Sequence, residues 1–398
     1  MYTDLKNKLD LLNKDLSHFE NSNDICTPMD CVEEMVDKIP NELWEREDIS
    51  ILDPCAGNGN FPAYILTKLK NKFILDCNEI NPVRIKNIKK YIKANIIEKD
   101  FFEFKDKEYD LIIANPPYAL FTNGKRTAKN HSVSKDFVKK SLGLLKENGY
   151  LVFIIPDNWM SLSDRNDLAN ILSNYQFIYL NIHDIKKYFP SVGSSFTYFI
   201  VKKTMNKKSF IVKNGYKLKT TDEVFLPKVK NIPLYLNNKV LSIIDKTLNN
   251  SSEKFRIETT SYLHKHTKKE FLNNSKTDTF KYKIIHTPSQ IVYSKIEHKF
   301  QKGYKVFIGL TSYYKVFIDD CGMTQSIAFI RVNDIKEANY IKNILEHPLY
   351  VFLNNIHRYG NFNNIRILQK FPIPKNENIY ENFNISKDEI NLINKFNN

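Results

Sequence analysis

The residues with the clearest chemical content are Asn115-Pro116-Pro117-Tyr118, which come directly after the apolar run 109–114. An amino group conjugated to an aromatic ring, such as N6 of adenine, is a poor nucleophile because its lone pair is delocalised. It improves when both N–H groups donate to fixed acceptors, which draw the nitrogen toward tetrahedral geometry. The Asn115 side-chain oxygen and the Pro116 carbonyl supply two such acceptors. Pro116 and Pro117 stiffen the backbone, so the acceptors are preorganised. Tyr118 offers a flat face on which an extruded base can stack. A plain proline-rich turn would have the same backbone without needing the asparagine or the tyrosine.

A second set of residues sits upstream, at the ends of successive apolar runs. Asp53 closes the run 49–52 and leads into a turn with Gly57 and Gly59, then a helix with Pro62 at its start. Glycines allow a tight turn and close backbone approach at the carboxyl edge of a sheet, where open α/β folds bind ligands. The spacing lacks the third glycine of the dinucleotide pattern, and the Lys and Ser/Thr of a phosphate-binding loop are absent. Glu79 ends the next run and can accept hydrogen bonds from both ribose hydroxyls of a nucleoside. Asp100 and Phe101 end the third, placed for an adenine amino group and ring face. Acids and an aromatic at successive strand ends point to a nucleoside cofactor.

The elements that must position these residues are legible as alternation. Apolar runs at 49–52, 72–77, 94–97, 109–114, 150–156, 177–182 and 196–201 read as strands, with amphipathic stretches between the first six. Strands alternating with helices give a mostly parallel sheet with helices on both faces. No helix separates the last two runs, which predicts an antiparallel pair. The fold class is α/β, a Rossmann-like seven-stranded sheet. Leu5, Leu9, Leu12, Leu16 and Phe19 recur at helical spacing and predict an N-terminal helix packed on the outside of this domain. After Lys203 the alternation stops. The expected divisions are an N-terminal helical segment at 1–24, a catalytic domain at 25–204, and a second α/β domain at 205–398.

The chain has 398 residues and a net charge of +14, unevenly placed. Between Val201 and Leu310 there are 23 Lys or Arg against 8 Asp or Glu, a net of +15, leaving about −1 for the rest. Such confinement is the footprint of a polyanion-binding surface. Hydrophobic residues at 42% and charged residues at 26% are a soluble globular composition. The five cysteines are scattered, without zinc spacing, so no metal is expected and the thiols should be reduced in a cytoplasmic protein. The charged N-terminus is unlike a signal peptide. No apolar stretch approaches the roughly 20 residues of a membrane span.

With these motifs in this order, the chain resembles the N6-adenine DNA methyltransferases of restriction–modification systems, in the gamma arrangement typified by the TaqI methyltransferase. The resemblance covers roughly residues 25 to 203. It implies S-adenosyl-L-methionine as cofactor, with Thr27 and Pro28 at its methionine moiety and Asp53 near its ammonium group. Ala56 and Gly57 match the glycine-rich motif, Glu79 and Ile80 the ribose and adenine contacts, and Asp100 and Phe101 the adenine amino and ring contacts. Asn115 to Tyr118 match the catalytic motif, where Asn115 also touches the cofactor. The segment 187–201 resembles the one whose phenylalanine packs on a flipped adenine, which assigns Phe189 as second stacking ring, with Phe196 as the other candidate. The motif begins with Asn rather than Ser, which favours adenine over cytosine.

The implied function is site-specific methylation of adenine N6 in double-stranded DNA, with base flipping. The second domain, for which no matching motif is found, is expected to be the target recognition domain by position, size and charge. Lys125 and Arg126 are candidates for phosphate contacts. Arg358, Asn361 and Arg366, with His357 and Tyr359, form the candidate base-reading cluster, since Arg and Asn can pair bidentately with base edges. The same catalytic tetrapeptide also serves RNA methyltransferases and protein-glutamine methyltransferases, which remain as alternatives. A monomer is expected, with any cognate restriction endonuclease on a separate polypeptide.

Overall fold

The computed structural model describes residues 2–15, 25–105, 107–118, 121–122, 125–126, 133–164, 166–250 and 252–398, with backbone alone at 121–122, 125–126 and 361. The chain divides into two compact units, one of Met1–Met160 with Arg165–Ile232, the other of Ser161–Asp164 with Pro233–Asn398.

The first unit is built on a nine-stranded sheet. Its strands are β1 (Asp48–Asp53), β2 (Lys72–Asn78), β3 (Asn95–Ile97), β4 (Tyr109–Ala114), β5 (Leu145–Pro156), β6 (Tyr175–Ile182), β7 (Phe196–Met205), β8 (Phe210–Asn214) and β9 (Thr220–Val224). Their order across the sheet is β9-β8-β6-β7-β5-β4-β1-β2-β3. The first five run parallel to one another, whereas β7 is antiparallel to both β5 and β6. All seven strands expected from the alternation are therefore present, including the antiparallel last pair. Every residue of β4 is buried, as are Gly149 to Ile155 of β5, the pattern of central strands covered on both faces.

Two strands were not expected. β8 pairs parallel with β6, and β9 pairs antiparallel with β8, so the sheet continues past the expected boundary at 204. The first unit ends at Ile232 instead, and Ser161–Asp164 belong with the second. The strands are short and rich in Lys, Thr and Asp, and β8 buries only alternate residues, as an outer strand does. Their composition resembles that of the loops around them.

The N-terminal helix α1 spans Tyr2–Lys14. Leu9 is fully buried in a cluster with Met29, Ala56, Ala63, Cys77, Ile88 and Ile92, while Leu5 and Leu12 pack at its edge. The expected stripe thus covers the flank of the sheet, although Leu16 and Phe19 lie outside the described residues. Asn13 Oδ1 accepts from Asn58 Nδ2 at 3.0 Å, which joins the helix to the glycine turn.

In the second unit, one four-stranded sheet runs Glu258–Thr259, Ile327–Arg331, Lys305–Gly309, Val316–Asp319, and another runs Leu272–Asn273, Gln290–Ser294, Tyr282–Thr287, Gly322–Met323. Strand Tyr282–Thr287 is buried on both sides: Ile285 packs with Phe307, Met323 and Phe329, and Ile284 with Leu263 and Val292. Two helices follow, Ile335–Glu346 and Pro348–Asn355, with the break at the residue before Pro348.

Leu9→Ala is expected to lower the unfolding free energy by about 2–5 kcal/mol, as cavity-forming substitutions do. Leu11→Ala, at the exposed side of the same helix, should change it by less than about 0.5 kcal/mol. Urea denaturation of both variants measures the difference.

Candidate active site

Four parallel strands bring their carboxyl ends to one edge. Asp53 of β1 pairs in register with Cys77 of β2, and Asn78 of β2 with Ile97 of β3. The cavity at this edge has a volume of about 390 Å³. It is walled by the turn after β1, the ends of β2 and β3, and the segment Asn115 to Tyr118 after β4. The two groups of residues singled out in the sequence therefore share one pocket.

The turn after β1 needs its glycines. Gly57 and Gly59 both have positive φ, +58° and +88°, and a Cβ on Gly59 would meet Ile92 Cγ1 at 2.8 Å. The Gly57 amide donates to Glu79 Oε2 at 2.8 Å, while Glu79 Oε1 accepts from the amides of Ile80 and Asn81 at 2.8 and 2.9 Å. Three amides thus fix the carboxylate and tie the turn to β2. Burial raises the Glu79 pKa against the opposing pull of these amides and of Arg84. Asn78 Nδ2 donates to the carbonyls of Ile97 and Lys99, holding the loop that carries Asp100.

Thr27, Ala56, Gly57, Glu79, Ile80, Asp100, Phe101 and Asn115 all line the cavity, as expected. Pro28 and Asp53 do not. Pro28 precedes helix Met29–Asp37, and Asp53 lies behind the turn at 1% exposure. Asp53 Oδ1 accepts from the Cys55 amide at 3.1 Å, but Oδ2 is buried without a partner. Burial pushes this carboxyl up to about 8, with the Glu79 charge adding to the rise. Asn60 Oδ1 is a second buried acceptor without a partner, its Nδ2 being given to the Thr27 carbonyl at 2.7 Å. Both unmet acceptors are buried beside this turn, that of Asn60 on a residue of the cavity wall and that of Asp53 behind it.

The aromatic wall differs from expectation in detail. Phe101 is 3% exposed and stacks on Phe137 at 5.0 Å, while Phe102, also lining the cavity, is 37% exposed. Sequence reasoning passed over Phe102, Phe137, Asn60 and Asn78. Lone asparagines carry no periodic signal, and Phe137 arrives from a distant helix, Val133–Gly143.

Asn115 is held by both ends of its amide. Nδ2 donates to Thr27 Oγ1 at 3.0 Å and to the Ile25 carbonyl at 3.3 Å, which turns Oδ1 the other way. Oδ1 accepts from the Tyr118 hydroxyl at 2.8 Å. One lone pair of this acceptor is thus used within the tetrapeptide, which leaves Oδ1 capacity for one further donor. Pro116 is buried. The ring beside Tyr118 is Phe196, at 5.5 Å between centroids, rather than Phe189. Phe189 is 3% exposed and packs on Phe196 at 5.4 Å. Their loop is pinned at its base: His183 Nε2 lies 2.8 Å from Asp157 Oδ2, and the His183 amide donates to the Phe196 carbonyl at 3.1 Å.

Of the candidates for DNA contact, Arg358, Asn361 and Arg366 belong to the second unit. The side chains of Lys125, Arg126 and Asn361 lie outside the described residues. Arg366 pairs with Asp164, and Arg358 is partly exposed. His357 is 1% exposed with Nδ1 on the Leu353 carbonyl, and burial pushes its pKa down to about 4. It belongs to the core and presents no edge to a base. Among the described residues no cluster of His, Cys, Asp or Glu could hold a metal ion, and no helix is long and apolar enough to cross a membrane.

The strand order, with the antiparallel β7 inserted between β5 and β6, is that of a Rossmann-like α/β unit. The model of the Eco57I restriction-modification methylase family matches residues 41–189. A release factor glutamine methyltransferase of Fusobacterium nucleatum is 27% identical over 48% of this chain and 58% of its own length. The type II methyltransferase M.HincII of Haemophilus influenzae is 30% identical over 39% of this chain and 33% of its own. The chain therefore spans less than two thirds of the length of either. A solved class I methyltransferase from Listeria monocytogenes superposes with a TM-score of 0.45 at 16% identity, over 53% of this chain and 72% of its own.

A carboxyl raised in the folded state is stabilising while protonated, and that stability is lost as pH rises through the folded value. For Asp53 the window runs from about 4, the unfolded value, to about 8. Asp53→Asn in the ligand-free chain should therefore raise the melting temperature by several degrees at pH 8.5 and by much less at pH 5. Scanning calorimetry at the two pH values checks it.

Proposed function

We propose that the chain is a site-specific DNA methyltransferase acting on N6 of adenine in double-stranded DNA, with the base taken out of the stack, and that it serves a restriction–modification system. The observation that carries this reading is the Asn115 amide, clamped through Nδ2 so that Oδ1 faces a hydroxyl donor in the same pocket as the nucleoside-type acceptors. The family match over 41–189 and the type II relatives support DNA as substrate. S-adenosyl-L-methionine, when bound, supplies a methyl group made electrophilic by its sulfonium.

In this reading Glu79 takes the ribose hydroxyls through the lone-pair capacity left by its three amides. Ile80, Phe101 and Phe102 enclose the cofactor's adenine, Asp100 meets its amino group, and Asp53 and Asn60 meet the amino-acid end, close to Thr27 and Pro28. Asn115 Oδ1 and the Pro116 carbonyl accept the two N–H groups of the target amine, which localises its lone pair. Tyr118 leaves Asn115 and turns its ring to the base, with Phe196 backed by Phe189 as the second aromatic surface. The second unit is the target recognition domain, with Arg358, Asn361 and Arg366 as base-reading candidates and Lys125 and Arg126 on phosphates. The order of motifs, cofactor first and recognition last, fits the gamma arrangement.

A second reading is favoured by the glutamine methyltransferase relative: the same acceptors would orient a side-chain amide. Incubation with labelled cofactor, unmethylated plasmid DNA and a protein extract separates the two. N6-methyladenine in the digested DNA is the expected product; label in N4-methylcytosine or in protein glutamine would refute the adenine assignment.

Asn115→Ala should lower methyl transfer by about 100-fold or more while S-adenosylhomocysteine still binds in calorimetry. Tyr118→Phe keeps the ring and frees Asn115 Oδ1, so activity should stay within a few-fold of the parent. Tyr118→Ala should lose about 10–100-fold, in line with a stacking contribution of about 1–3 kcal/mol. Equal losses in the two tyrosine variants would remove stacking from the account.

A further inference from the structure

The positive charge of the second unit is organised in two ways. On its helices, lysines meet carboxylates: Lys239 with Asp388, Lys246 with Glu389, Lys342 with Glu346. Between residues 260 and 302 there are nine lysines against three acidic residues. Of these, Lys283 pairs with Asp319. Lys268, Lys295 and Lys299 instead lie over aromatic rings: Tyr262 at 5.4 Å, Phe271 at 4.9 Å and Phe300 at 4.7 Å from ammonium to centroid. None of the three has a carboxylate within ion-pair distance among the described residues.

These three pairs form one surface. The Tyr262 ring meets His298 edge-on at 5.2 Å, and His298 meets Phe300 at 5.8 Å. The Phe271 amide donates to the Lys268 carbonyl, and the Lys295 amide to the Phe271 carbonyl, each at 3.1 Å. Arg331 also lies over Phe300, at 5.5 Å, while pairing with Glu258. Lys295 and Lys299 are exposed. A lysine laid along a ring is held extended by cation–π attraction, with its charge kept for a partner outside the chain.

We propose that this stripe, centred on Lys268, Lys295 and Lys299, is a sequence-independent face for the phosphate backbone of duplex DNA. It rests on DNA as substrate, but not on which base is methylated. Single-stranded nucleic acid is held by bases stacking on open aromatic faces. Here ammonium groups lie over those faces, so the surface meets a partner that carries its phosphates outward and its bases inward. The neighbouring acids Glu270 and Glu297 keep the face from being uniformly basic, which limits its contacts to a few phosphates.

The test uses the full chain, with a mixed-sequence duplex in the presence of S-adenosylhomocysteine, measuring affinity across a salt series. Each phosphate contact contributes about −0.9 to the slope of log affinity against log salt. Combining Lys268→Gln, Lys295→Gln and Lys299→Gln should reduce the slope by about 2.7 and weaken binding on the order of 100-fold at about 0.15 M salt. Lys342→Gln, which removes charge from a paired lysine, should leave the slope unchanged, and S-adenosylhomocysteine should bind all variants alike. If the triple variant does not fold, each single substitution should reduce the slope by about 0.9. An unchanged slope in these variants, or an equal drop with Lys342→Gln, overturns the proposed face alone. A parent chain that binds S-adenosylhomocysteine but no duplex overturns the DNA reading together with it.

Discussion

The site depends on one constraint: parallel strands in register end together, so that the residues just beyond each strand are gathered at a single edge. The pairing of Asp53 with Cys77 and of Asn78 with Ile97 sets the heights of the first three strand ends. β4 joins the same array through Leu52 and Ile112. An acid after one strand, an acid after the next and an asparagine after the fourth then become neighbours, though they are scattered from Asp53 to Asn115 along the chain. Hydrogen bonds at the edge refine this arrangement. Asn78 and Glu79 each bridge two loops, so the cavity wall is fixed by side chains whose partners are backbone amides and carbonyls.

Burial at that edge has a consequence for charge. Asp53 and Glu79 are both removed from water and both pushed toward the protonated form, Asp53 with one oxygen lacking any partner. Glu79 stands in the cavity wall and Asp53 behind it, so the uncompensated acceptor lies just inside the edge where the strands end. On the other wall the Tyr118 hydroxyl supplies Asn115 with a donor drawn from the same tetrapeptide.

Much of this was readable in the sequence, and the reason is periodicity. The seven strands alternate with helices strongly enough to be counted, and the helix over the N-terminus shows its stripe. β8 and β9 escaped because an outer strand needs few apolar residues, and Lys, Asn and Thr there look like a loop. The boundary at 204 was misplaced for the same reason. In the cavity, residue types at strand ends were enough to place Glu79, Asp100 and Asn115. They were not enough to rank neighbouring aromatics: Phe101 turned inward while Phe102 remained open, and Phe196 rather than Phe189 came to lie beside Tyr118. Adjacent phenylalanines differ only in which way the backbone turns them. The lysine and ring stripe was invisible for another reason, since irregular segments bring Tyr262, Phe271 and Phe300 together without any repeat.

The hydrogen bond from Asn115 to Thr27 spans 88 positions of sequence. It makes the segment before the first sheet strand a mechanical part of a group that lies beyond the fourth. Displacing that segment would release the amide to rotate and, in the same movement, open the pocket beside it. The orientation of Asn115 and the wall of the cavity therefore depend on the same contact, since Thr27 takes part in both.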